Sequence, residues 1–298
     1  MLTGPTAVGK SGVALEVARR IHAEIVSADS RQIYRYMDVG TAKPTAAERA
    51  GVTHHLIDVA YPNERFSVVD YRRMGDTTLT RIAAAGRPAL IVGGSPHYLQ
   101  ALVDRLQPTS GNALLRAWLT RADATNPPEV LDAWLRGVDP VAYGKIERRN
   151  RRRVLRAIEV TLTEGRPFSF AGRQKSASLP AVWIGLHLDR PDLHGRVTER
   201  LEAMIQAGWI DEVRMLLAMG YAATLPALSA TGYSQIAGVV TGELTLDGAL
   251  TSIRHATHAF IRRQETWLRA ERRIHWLNAD APDLIDQVLA AIATDPVS

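Results

Sequence analysis

Residues Gly4–Ser11 read GPTAVGKS, two glycines, a lysine and a hydroxyl at the spacing of a phosphate-binding loop. Glycines let the backbone wrap until successive N–H groups face a phosphate, and the positive end of the following helix adds to that field. Gly4, Pro5, Thr6, Ala7, Val8 and Gly9 are therefore candidate phosphate ligands through their backbone. Lys10 reaches the terminal phosphates, and the Ser11 hydroxyl helps to hold Mg²⁺. The alternative is a plain glycine turn before a helix.

Asp29 follows the apolar run Glu24–Ser27 (EIVS), within SADSRQIYRYMDVGTAKP. The carboxyl ends of parallel strands face the ligand crevice, which puts this carboxylate near the phosphate loop. Such a group ligates magnesium through water or accepts a proton from a nucleophile. Spacing alone separates neither role from the other, nor from a helix N-cap by Asp29 or Ser30. Gly93, Gly94 and Ser95 occupy the equivalent end of a second apolar run, where glycines admit a ligand closely and Ser95 offers a hydroxyl; a strand-to-helix turn explains the same residues.

Arginine is the third chemical signal. Of 36 basic residues only Lys10, Lys43, Lys145 and Lys175 are lysines, which leaves 32 arginines. The stretch from Lys145 to Lys175 holds ten basic and three acidic residues, a local charge of +7 in a chain of net +5. Arg149, Arg152, Arg153 and Arg156 lie three or four apart, so on one helix they share a face, with Arg148 and Arg151 beside them. Like charges so arranged repel unless an anion lies against them, and a nucleic-acid backbone is a natural one; a solvated helix face is the bland alternative. His54 and His55 are adjacent, not at the i, i+4 spacing that aims two imidazoles at one metal. The six tryptophans, at 118, 134, 183, 209, 267 and 276, sit in apolar contexts that mark most of them as core anchors.

These side chains need elements to hold them. After the loop, Val13, Leu15, Val17, Ala18 and Ile21 recur at helical spacing, and EIVS then reads as a buried strand. Pro88–Val92 is a second strand, so strand, glycine turn and helix alternate as in parallel α/β folds. Only Met1–Thr3 precede the loop, so the first strand is nearly absent: either the chain starts inside it, or the sheet has a shortened edge. From Val103 the texture turns helical, with LLRAWL and VLRAIEV broken by Pro127, Pro128 and Pro140. A strand returns at Ala181–Leu188, followed by long amphipathic helices and a last strand-like run, Ile274–Leu277. The expected architecture is an α/β core, residues 1–103 and 178–298, with an inserted helical domain at 104–177. With 298 residues and 46% hydrophobic content the chain can bury such a core. Zero cysteines exclude disulfides and thiol catalysis, and the lack of a run of about 18 apolar residues or of a signal-peptide pattern points to a soluble, cytoplasmic protein with no membrane partner.

Together GPTAVGKS, SADSRQIYRYMDVGTAKP, IVGGS with Tyr98, RRVLRAIEV with GRPFS, AGWIDEV and RRQETWLR resemble the tRNA dimethylallyltransferase family, over nearly the whole chain. The phosphate loop names only a superfamily, whereas DVGTAKP is specific. The resemblance implies transfer of a dimethylallyl group from its diphosphate to N6 of the adenosine 3′ to the tRNA anticodon. By similarity Gly4–Ser11 hold the diphosphate with Mg²⁺, and Asp29 is the base for N6. The target base is splayed out of the anticodon stem-loop. Ser30, Arg31, Gln32, Ser95, Arg116, Arg152, Arg153 and Arg156 match family positions near the tRNA or its target nucleotide, and the family implies a monomer. Ser95 stands where the family has threonine, Tyr36 where it has glycine, Pro96 and His97 where it has a more apolar pair, and Ser234 and His258 where it has basic residues. An adenylate isopentenyltransferase would run the same chemistry on a free nucleotide, but it needs neither the insertion nor the +7 segment. A P-loop small-molecule kinase would share the loop alone, and a nucleic-acid-binding protein with degenerate chemistry is the non-enzymatic alternative.

Overall fold

The apolar runs Glu24–Ser27 (β2) and Ala89–Val92 (β4) pair in parallel, with Ile25 opposite Leu90 and Val26 opposite Ile91. They belong to a six-stranded sheet in the computed structural model, which describes residues 1–105, 111–170 and 178–294. Its other strands are Leu2–Thr3 (β1), His54–His55 (β3), Trp183–His187 (β5) and Ile274–Asn278 (β6), in the spatial order β3-β2-β4-β1-β5-β6. Every pairing is parallel. The fold class is thus α/β, with the carboxyl ends of all six strands on one side.

The brief first strand is no sheet edge. Leu2 pairs with Val92 on one side and Ile184 on the other, so β1 is interior. The edges are β6 and β3, the latter two histidines that pair through their backbone, Ile25 opposite His54 and Val26 opposite His55. His55 Nε2 lies 2.5 Å from Glu24 Oε2, and His54 Nδ1 lies 2.7 Å from the carbonyl of Val52.

The chain divides into two compact units: Met1–Val103 with the chain from Leu179 on, and Asp104–Ser178. In the first unit the helices are Lys10–Arg20 (α1), Ala46–Ala50 (α2), Val68–Ala84 (α3) and Pro96–Val103 (α4) before the second unit. In the second they are Ala113–Thr125 (α5), Pro128–Val138 (α6), Pro140–Lys145 (α7) and Arg151–Glu164 (α8). After it come Arg190–Gln206 (α9), Trp209–Ala218 (α10), Tyr233–Val240 (α11), Leu246–Ala270 (α12) and Leu284–Thr294 (α13). Helix starts follow local chemistry. Capping boxes, Thr45 with Glu48 and Ser67 with Asp70, open α2 and α3. Pro128 and Pro140 break the helical run by standing at the first position of α6 and α7, where no N–H is needed.

The second unit has its own apolar core, in which Leu119, Leu131, Leu135, Val154 and Ile158 are buried. Asn150 caps α8 by accepting the N–H of Arg153, so the helix begins at Arg151. Arg149 therefore precedes the helix and does not share its face, contrary to the spacing argument. Lys175 and Arg173, at the far end of the basic segment, and the expected domain limit at residue 177 lie outside the described residues.

Only Trp183 and Trp209 are buried, and Trp267 is half-buried against the same core. Trp118, Trp134 and Trp276 are exposed, which corrects the reading of most tryptophans as core anchors. Trp118 and Trp134 each end an i, i+4 apolar pair and stack on one another at 5.6 Å, shielding ring from water without a core. No described helix is long and apolar enough to cross a membrane.

Candidate functional site

The loop Gly4–Gly9 leaves β1 and enters α1. Gly9 is the N-cap residue with φ of 98°, a left-handed backbone that glycine adopts without strain. Lys10 Nζ folds back to donate to the carbonyls of Gly4, at 2.9 Å, and Pro5, at 2.7 Å. Burial and the neighbouring Arg200 guanidinium push the Lys10 ammonium down to about 8, against the pull of Asp29. Burial likewise lowers Arg200, again opposed by Asp29. Two cations and one carboxylate therefore share a partly desolvated corner with an excess of positive charge. Ser11 is exposed in the first turn of α1.

Asp29 lies past the end of β2, where its Oδ1 accepts the N–H of Arg31 at 2.8 Å. That bond makes an Asx turn, and no helix starts there, so neither Asp29 nor Ser30 is a helix cap. Ser95 ties the second strand end to this turn: its Oγ accepts the Ser30 N–H at 3.1 Å, and its own N–H donates to Ala28 O at 3.3 Å. Arg31 donates to the carbonyls of Pro226, at 3.1 Å, and Ala227, at 3.4 Å. Gln32 is used internally, accepting from Ser27 Oγ and donating to the carbonyls of Thr41 and Ala42. Thr6, Asp29, Ser30, Arg31, Ser95 and Arg200 all line one cavity of about 350 Å³.

Three residues given no role from the sequence complete this arrangement, two of them inside the quoted stretches RRQETWLR and AGWIDEV. Gln264, 4% exposed on α12, accepts the Thr6 N–H at 2.9 Å and donates to Gly94 O at 2.9 Å, joining the phosphate loop to the Gly-Gly turn. Glu212 on α10 accepts from the backbone N–H groups of Asp38, Val39 and Gly40 and from the Tyr233 hydroxyl. This explains AGWIDEV and DVGTAKP together, since the first clamps the second. Gly40 admits no larger residue, because a Cβ would lie 2.1 Å from the Trp209 indole nitrogen. Arg200 is the third, one cation among many on an amphipathic helix.

Inside the second unit, Arg116 and Arg156 both bind Glu159, which is 1% exposed and also accepts the Asn112 N–H. Burial pushes the Glu159 carboxyl up, but these donors more than offset it and hold it below the usual carboxylate range. Arg151 binds Asp123 and Asp132. Arg152 and Arg153 are exposed, and no described residue pairs with either. The arginine segment thus divides into structural and solvent-facing cations.

The other substituted positions are also visible. Tyr36 has φ of 67°, a left-handed backbone. Ser234 is exposed, and His258 stacks on His194 at 3.7 Å. Burial and surrounding cations lower the His258 imidazole, so it supplies no fixed charge at neutral pH. Among the described residues no group of three or more histidines, aspartates or glutamates can hold a metal. Ser11 and Asp29 fit Mg²⁺ only as minor ligands beside phosphate oxygens and water, which this ion commonly keeps.

Residues 32–271 match the family described as IPP transferase. The tRNA dimethylallyltransferase of Roseiflexus castenholzii is 44% identical over 296 residues, 98% of this chain and 96% of that protein. That of Thermomicrobium roseum is 40% identical over 289 residues, 96% of this chain and 88% of its own length. The full-length tRNA isopentenylpyrophosphate transferase of Bacillus halodurans superposes with a TM-score of 0.72 at 32% identity, covering 99% of this chain and 95% of that one. A eukaryotic dimethylallyltransferase acting on tRNA shares the fold, with a TM-score of 0.82 at 23% identity over 99% of this chain and 78% of that one. The chain belongs to the IPP transferase family.

Proposed function

We propose that this protein transfers a dimethylallyl group from dimethylallyl diphosphate to N6 of the adenosine 3′ to the anticodon in tRNA. The observation that carries the reading is a cavity lined by the Asp29 carboxylate and the desolvated Arg200 guanidinium, with the desolvated Lys10 ammonium close enough to feel the charge of both. Lys10 and Arg200, with the N–H groups of the loop, suit the diphosphate, whose negative charge grows as it leaves. Asp29 suits the acceptor. An exocyclic amine is a poor nucleophile, and a base that removes its proton as the bond forms prevents charge from accumulating on nitrogen. In the balanced step the N6–C1 bond forms, the C1–O bond breaks with its electron pair leaving on diphosphate, and the N6 proton passes to Asp29. Mg²⁺ held by Ser11 would neutralise diphosphate charge. Ser30, Arg31 and Ser95 would hold the flipped base at the cavity, while Arg152 and Arg153 suit tRNA phosphates.

Asp29→Ala is expected to lower the single-turnover rate with bound tRNA by about 10² to 10⁴ while tRNA still binds. A near-normal rate would remove Asp29 from the chemistry. Labelled dimethylallyl diphosphate offered with tRNA or with AMP tests the acceptor; label on AMP alone would reject the tRNA reading.

A further inference from the structure

Three half-buried tyrosines from separate segments meet around Tyr36. The Tyr36 ring lies 6.0 Å from Tyr61 and 6.5 Å from Tyr221, tilted by 40° and 34°, so the rings do not cover one another's faces. Tyr36 sits midway along the segment whose two ends, Asp29–Arg31 and Gly40–Thr41, line the cavity. Tyr61 follows β3, and that strand's carboxyl end is on the cavity side of the sheet. Residues 32–35 run beside 58–60, with Val59 N–H on Ile33 O at 2.8 Å and Arg35 N–H on Ala60 O at 2.8 Å. Tyr221 belongs to the stretch that Arg31 anchors at Pro226.

Two features point to a ligand. First, Tyr36 holds a left-handed backbone at φ 67°, where a bulky residue is an outlier, and such strain persists where the surroundings over-determine it for use. Second, the exposed Arg35 guanidinium lies 4.7 Å from the centre of the Tyr61 ring, donates to the Tyr61 hydroxyl and to the Asp58 carbonyl, each at 2.9 Å, and has no carboxylate partner among the described residues. The nearby acids are engaged elsewhere: Asp58 with Lys43 and Arg49, and Glu64 with the Tyr61 N–H. Arg35 covers one face of Tyr61, while the Tyr36 and Tyr221 rings are tilted apart; aromatic rings beside a cation without a carboxylate partner are what an unpaired nucleotide requires, base on ring and phosphate on guanidinium.

We propose that Tyr36, Tyr61, Tyr221 and Arg35 form a stacking platform for an unpaired nucleotide of the RNA that flanks the target base. This rests on the tRNA reading and extends it to a second nucleotide. Binding of a fluorescent anticodon stem-loop RNA, measured against salt, tests it. Tyr36→Gly is expected to weaken affinity about 5- to 150-fold with an unchanged salt slope, and to leave the melting temperature equal or higher because the backbone strain is relieved. Arg35→Gln is expected to flatten the slope of log K against log salt by about 0.7. An abasic nucleotide at one flank of the target should erase the difference between wild type and Tyr36→Gly. A Tyr36→Gly protein that binds every RNA like wild type, or that melts lower with affinity intact, would overturn the platform. Since these readouts are binding alone, a wild type that binds the stem-loop but transfers no prenyl group would reject the transferase reading separately.

Discussion

Lys10 keeps its charge against burial and a neighbouring cation, and its proton sits near pH 8 instead of the ordinary 10.5. Bound diphosphate favours the ammonium, so the consequence falls on the free enzyme. The value of kcat/KM for the diphosphate donor is expected to fall about tenfold per pH unit above about 8, while kcat at saturating donor turns down later. Initial-rate profiles from pH 6 to 10 would show this, and a kcat/KM flat to pH 10 would deny Lys10 its role. Stability moves the other way. Between about 8 and 10.5 the unfolded chain holds a proton that the folded chain has released, so the Lys10 contribution to stability rises with pH across that window. The charged corner itself is more than the loop motif, because Arg200 and Gln264 reach it from α9 and α12. Lone polar residues on amphipathic helices look like surface until packing shows which way they face.

Glu212 acts on an element, the 38–40 segment, by accepting three of its N–H groups at once. Glu212→Gln keeps the size but turns an amide donor toward backbone donors, a loss on the order of 2–3 kcal/mol. The melting temperature is expected to drop by roughly 5–10 °C, with KM for the acceptor raised because Gly40 and Thr41 line the cavity. An unchanged melt would show that the clamp is dispensable. In α8 the arginines should separate by experiment as they do by contact. Arg152→Ala with Arg153→Ala is expected to lower tRNA affinity and reduce its salt slope by at most about 1.4 to 1.8, with the melt unaffected. Arg156→Ala should instead destabilise the second unit, because buried Glu159 loses a partner. Salt-dependent binding and calorimetry on the two variants decide it, and an unaltered slope in the double variant would return those cations to the solvated surface. Much of the element pattern was legible: EIVS and ALIV are apolar runs flanked by turns, and both are strands. Two polar histidines gave no strand signal, since β3 is held at an edge by backbone pairing and by the His55–Glu24 contact, without an apolar pattern. Arg149 was misplaced because Asn150 caps one residue later, and a spacing rule does not see caps. Asp29 stood out by its position after a strand, whereas its Asx turn was indistinguishable from a helix cap until the following backbone was known.

At the scale of the molecule, the Leu179 N–H donates to the Val103 carbonyl at 2.8 Å, so the chain leaves the first unit and rejoins it at neighbouring residues. Replacing residues 105–177 by a short glycine-serine linker is therefore expected to leave a folded sheet that binds a dimethylallyl diphosphate analogue within about threefold of wild type, because so short a loop closure adds little entropy cost. Such a protein should lose tRNA affinity. Titration calorimetry and filter binding on this variant would check both halves, and retained tRNA binding would exclude the helical unit as an RNA contact. The central place of β1 has a further consequence, in time. Its partner strand β5 lies farther along the chain, and the pairing of Met1 N–H with Val182 O spans 181 residues. At roughly 5 to 20 residues per second, β1 and the phosphate loop wait on the order of ten to forty seconds for that neighbour during synthesis. The inserted unit lengthens the delay. Until β5 emerges, one side of β1 is an open edge, which leaves the strand that carries the phosphate loop open to mispairing on the ribosome although it is interior in the finished sheet.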